Sequence, residues 1–76
     1  MTVADFVKTN TQILTMCNLD FKLFNANREG NPLVFDSAKD SFHNFVYYCD
    51  RDIDHWFYYN DGKEKSFWLY IDGDDD

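Results

Sequence analysis

The chain has 76 residues, a formal net charge of −7, and a composition that is 45% hydrophobic and 20% aromatic. That length holds one domain and leaves a thin margin of stability. The acidic balance argues against direct nucleic-acid binding, which needs a basic face, and no run approaches the ~18 apolar residues of a membrane span.

"TVADFVKTN" predicts a short opening helix ending near Asn10. Thr2 can cap it, and Asp5 sits three residues on, at capping-box spacing. Val3, Phe6 and Val7 fall on one face. "TQILTMC" then offers β-branched residues without a breaker and predicts a strand over 11–17. "NLD" is a turn, and "FKLFN" alternates as a second strand over 21–25, so the two are expected to pair as an antiparallel hairpin. "ANREGNP" is a loop carrying Gly30 and Pro32. "LVFD" (33–36) is a short third strand.

Asp36 or Ser37 can cap a helix running to about Phe45, with Phe42 and Phe45 at i,i+3. "VYYC" (46–49) is strand-like, and "DRD" breaks the pattern. Two last strands, about 53–60 and 63–71, flank "NDG". A three-residue loop with Gly62 left-handed would pair Tyr59 with Lys63. That register places Ile53, His55, Phe57, Phe67, Leu69 and Ile71 on one face. Asp54, Trp56, Tyr58, Glu64, Ser66, Trp68 and Tyr70 take the other.

The expected fold is a single α+β domain over residues 1–71, a mostly antiparallel sheet of five or six short strands with one or two short helices. Its expected core is Ile13, Leu14, Leu23, Val34, Phe35, Phe45, Phe57, Phe67, Leu69 and Ile71. Residues 72–76, "DGDDD", have nothing to bury and are expected to fray as an acidic tail.

Charge divides unevenly along the chain. Residues 1–49 carry five acids and four bases; residues 50–76 carry nine acids and three bases. Trp and Tyr combine large area with a polar tip and dominate binding hot spots. An acidic stretch interleaved with them suits a basic protein surface. The residues expected to bind a partner are Asp50, Asp52, Asp54, Trp56, Tyr58, Asp61, Glu64, Trp68 and Tyr70.

Other chemistry finds little support. Asp50, Asp52, Asp54 and Asp61 mimic the spacing of a calcium loop, but His55 stands where that loop needs glycine. His43, His55, Cys17 and Cys49 lack zinc-ligand spacing. Ser37, Ser41 and His43 form no nucleophile motif, and no phosphate loop appears. Neither catalysis nor a cofactor is expected. Cys17 and Cys49 form no CxxC, and no basic segment leads into an apolar run at the N-terminus. Free thiols in the cytosol, without a signal peptide, are therefore expected.

The opening helix "TVADFVKTN", the short strands, the charge of −7 and the acidic aromatic hairpin together resemble the small acidic inhibitors of phages and mobile elements, the anti-CRISPR proteins above all. The resemblance is one of type, spread over the whole chain. It implies a stoichiometric inhibitor in the host cytosol whose partner is a basic nucleic-acid-binding protein such as a CRISPR effector. The carboxylates would meet the Arg and Lys that otherwise hold DNA. Seven bases and a near-neutral first part depart from whole-surface DNA mimicry and favour a local acidic edge. The alternative from another class is a homo-oligomeric interaction module, a homodimer in the simplest case, with the aromatic face as its self-interface.

Overall fold

The computed structural model describes residues 1–74. Its first element, α1 (Val3–Met16), begins on the capping box that Thr2 and Asp5 predict. Thr2 Oγ1 accepts from the Asp5 N–H, and the Asp5 carboxylate accepts from the Thr2 N–H, both at 3.2 Å. The helix does not stop at Asn10. It runs on through the segment expected as a strand, because Val3, Phe6, Val7, Asn10 and Leu14 keep one helical stripe facing the sheet. Asn10 and Thr11 fold their side chains back onto the carbonyls of Phe6 and Val7. The helix ends at its cap, Cys17; Asn18 then takes a left-handed φ of 52° and Leu19 N–H reaches the Leu14 carbonyl.

Four strands follow: β1 (Asp20–Asn25), β2 (Leu33–Asp36), β3 (Ile53–Asn60) and β4 (Lys65–Ile71). They lie in the order β2-β1-β4-β3. The central pair, β1 and β4, is parallel, and both outer pairs are antiparallel. The expected five or six strands become four because two of the six segments are helical: 11–17 belongs to α1, and 46–49 is taken up by α2 (Phe42–Tyr48) and its cap at Cys49. With the first strand gone, β1 pairs with β2 and β4 instead.

Helix α2 starts later than expected. Asp36 accepts from the Ala38 N–H, and Asp40 accepts from the Asp36 N–H, so residues 36–40 close a turn and Ser41 becomes the N-cap.

Both helices pack on one face of the sheet. Val3 and Phe6 of α1 are buried with Leu23, Phe35, Leu69 and Ile71, and Val34, Phe45 and Phe67 pack around them. Phe6 meets Trp56 and Phe67 edge-on, with ring centroids 5.2 and 5.4 Å apart. Phe45 of α2 reaches Phe21 and Phe35. Two expected core residues are exposed, Ile13 at 49% and Phe57 at 41%, and Leu14 is half-buried outside the core cluster.

Residues 72–74 do not fray. Asp72 N–H donates to the Asp52 carbonyl, and the Asn25 and Asn27 amides donate to the carbonyls of Asp74 and Gly73. A Cβ on Gly73 would stand 2.5 Å from the Asn25 side chain, so only glycine fits this approach. The remainder of the expected tail, residues 75–76, lies outside the described residues.

Candidate functional site

The register of the β3–β4 hairpin decides which side chains share a surface. Asn60 pairs with Lys65, not Tyr59 with Lys63, so the loop has four residues, 61–64. The Asp61 carboxylate holds it, accepting from the N–H groups of Lys63 and Glu64 and from the Tyr59 hydroxyl. These bonds, those from the backbone first, keep its pKa below the ordinary aspartate value. Gly62 is left-handed, with φ 90°. A bulge at Asp54 then shifts the pairing between Ile53 and His55.

The result corrects the expected faces. β4 divides as predicted, with Phe67, Leu69 and Ile71 on the helix side and Ser66, Trp68 and Tyr70 on the other. β3 is turned over beyond its bulge. Trp56 and Tyr58 pair with Leu69 and Phe67 on the helix side; His55, Phe57 and Tyr59 pair with Tyr70, Trp68 and Ser66. The four expected anchors are therefore split, Trp56 and Tyr58 on one face and Trp68 and Tyr70 on the other.

The face away from the helices is an aromatic pavement. Phe24 of β1 lies 4.9 Å from Trp68 and 5.0 Å from Tyr70. Tyr59 stacks on Trp68 at 4.6 Å, and Phe57 touches both Trp68 and Tyr70. His55 lies flat on Tyr70, 4.4 Å away and 7° from parallel. No element among the described residues covers this pavement. Phe24, Phe57 and Tyr59 were not among the expected binding residues. The alternation of "FKLFN" carries the signal for Phe24, since Leu23 must face the core.

A polar chain crosses one side of the pavement. Trp68 Nε1 donates to Ser66 Oγ at 3.1 Å, and Ser66 Oγ donates to Glu64 Oε2 at 2.9 Å. Glu64 pairs with Lys22 Nζ at 2.8 Å, and Lys22 lies 4.0 Å from Asp36. The Glu64 hydrogen bond raises the Lys22 pKa, and the same bond lowers that of Glu64.

The expected acids fall into two groups. Asp61 and Glu64 sit at the hairpin loop and are engaged in holding it. Asp50, Asp52 and Asp54 stand at the opposite end of β3. Asp52 and Asp54 line an open cleft of about 260 Å³ together with Asp72, Asn27, Ala26 and Ile53. Asp54 lies 2.7 Å from His55 Nδ1, and Asp72 accepts from the Asn27 amide. Among the described residues, none of Asp52, Asp54 and Asp72 pairs with a lysine or arginine side chain. Arg51 bonds Asp74 and the Asp72 carbonyl and lies over Tyr47, with Asp50 4.0 Å from its Nε.

Cys17 and Cys49 are free. No group of three His, Cys, Asp or Glu side chains among the described residues gathers in a way that could hold a metal. No helix among the described residues is long and apolar enough to cross a membrane. No family model, curated protein or solved structure matches this chain.

Proposed function

We propose that the protein is a stoichiometric inhibitor of the anti-CRISPR type, which occupies a basic nucleic-acid-binding surface of a host defence effector and so blocks DNA. The observation that carries this reading is the cleft end of the molecule. Three carboxylates free of lysine and arginine, Asp52, Asp54 and Asp72, lie beside an uncovered aromatic pavement. Carboxylates arrayed along a strand present charge to Arg and Lys much as phosphates do, and they speed encounter. Phe57, Trp68 and Tyr70 supply rigid contact area next to that charge. Asp50 extends the acidic edge. Asp61 and Glu64 shape the hairpin, while Trp56 and Tyr58 offer a second contact on the helix side.

The test is a pull-down from bacterial lysate with tagged protein at low salt, eluted by a salt gradient and challenged with DNA. The expected result is one nucleic-acid-binding enzyme, released at moderate salt and displaced by DNA. The double variant Asp52→Lys, Asp54→Lys should lose about tenfold or more in affinity for it. The double variant Asp20→Lys, Glu29→Lys, neither of which lines the cleft, should lose little. Equal losses from both pairs, or recovery of a diffuse set of basic proteins, would sink the proposal.

A further inference from the structure

The outer edge of β3 carries a separate inference. β3 is the last strand of the sheet, and its hairpin partner lies on the other side. Residues 1–3 run along the start of this edge: Thr2 bridges Asp52, and Ile53 N–H donates to the Met1 carbonyl. Beyond Ile53, nothing among the described residues pairs with it. Asp61 donates inward, to the Glu64 carbonyl. Peptide groups alternate in direction along a paired strand. Tyr59, Phe57 and His55 therefore turn theirs toward β4, and Trp56, Tyr58 and Asn60 turn theirs outward.

Exposed edges normally carry lysine, proline or a charge that discourages pairing. From His55 to Tyr59 this edge has none, and Trp56, Phe57 and Tyr58 are each between 41% and 49% exposed. The strand is also its own complement. Placed antiparallel to a second copy about Phe57, Trp56 meets Tyr58, His55 meets Tyr59 and Asp54 meets Asn60. Lys65 lies directly across from Asn60 on β4 and makes no ion pair among the described residues. The acidic start of each strand thus meets the lysine-bearing end of the other, twice by symmetry.

We infer that two copies of this chain join edge to edge through residues 54–60 of β3, making one eight-stranded sheet with a continuous aromatic pavement. The pairing uses strand-addition hydrogen bonds, takes Asp54 into the seam, and leaves Asp52 and Asp72 at each side of the axis. The dimer does not depend on the inhibitor reading, and salt separates the two. Screening weakens binding to a basic partner but relieves repulsion between two bodies of charge −7.

The experiment is sedimentation of the full chain at rising concentration, combined with cysteine pairing in a Cys17→Ser, Cys49→Ser background. The chain is expected to sediment at twice its mass and to remain so at high salt. Phe57 meets its own copy at a non-hydrogen-bonded position, where Cα atoms lie about 4.5 Å apart, within disulfide reach. Phe57→Cys should therefore close an intermolecular disulfide under mild oxidation. His55→Cys, which faces Tyr59 of the second copy, should not. A chain that stays monomeric up to millimolar concentration, or equal cross-linking of both variants, would overturn the inference.

Discussion

The two faces of the sheet solve opposite problems with neighbouring residues. Leu69 and Trp68 are adjacent on β4, yet Leu69 is fully buried beneath α1 and Trp68 lies half-buried on the side no helix covers. The covered face is filled by shape: Val3, Leu23, Leu69 and Ile71 close around Phe6. The open face is filled by stacking and by polar tips that tolerate water, with Trp68 touching Phe24, Phe57 and Tyr59 and donating its N–H to Ser66. One face therefore supplies stability, and the other can supply contact without being needed for the fold.

The strongest way to break that comparison is to truncate the adjacent pair. Leu69→Ala opens a cavity in the middle of a central strand and should cost about 2–5 kcal/mol, a large part of the stability of a domain this small. Trp68→Ala removes more atoms but loses mainly stacking, and should cost about 1–2 kcal/mol. Urea unfolding of the two variants measures both. A Trp68 loss equal to or above the Leu69 loss would mean that the pavement is a second core.

Ser66 sharpens the comparison at a smaller scale. Among the described residues it is the one fully buried on the pavement side, and it joins Trp68 to Glu64. Ser66→Ala should cost about 0.5–1.5 kcal/mol and disturb the near-ultraviolet signal of Trp68 while leaving helix content unchanged. A silent substitution would show that stacking alone fixes the indole.

The difference between the faces also explains which parts of the molecule were legible. Capping chemistry announces the start of α1, and Leu23, Phe35, Leu69 and Ile71 can be placed in the core from alternation alone. The far half of α1 reads as strand because Thr11, Ile13 and Thr15 favour strands locally, and only the spacing back to Phe6 and Val7 shows that the helical stripe continues. The hairpin was legible but its register was not. Its loop is closed by the Asp61 carboxylate and its strand is bulged at Asp54, and neither feature follows from the turn residues "NDG". The pairing is displaced by three residues, an odd number, and this exchanges Trp56 and Tyr58 for Phe57 and Tyr59 on the open face. The parallel pairing of β1 with β4 joins segments some forty residues apart and leaves no local signal.

The smallest effect tests the polar chain through pH. The Glu64 pKa lies below its ordinary 4.5, because Lys22 and then Ser66 donate to its carboxylate. A depressed carboxylate contributes stability above the unfolded value, and that contribution fades as pH falls through the folded value. The Lys22 pKa lies above its ordinary 10.5, chiefly through the hydrogen bond to Glu64. Its contribution is complete below the unfolded value and fades as pH rises through the folded one. The Lys22–Glu64 link is thus fully made between about pH 5 and 10 and weakens at both ends. Asp5, Asp61 and Asp74 are also held low, so acid loosens the whole molecule, and the wild-type curve alone does not isolate the link. Glu64→Gln does, because it keeps the size of the side chain and removes the titration. Melting temperatures of the two proteins should differ by a small constant amount across the neutral range and draw together as pH falls below 4.5 and through the lowered Glu64 pKa. A gap that persists undiminished in acid would mean that Glu64 acts by shape, and that the open face is held together by its rings without help from charge.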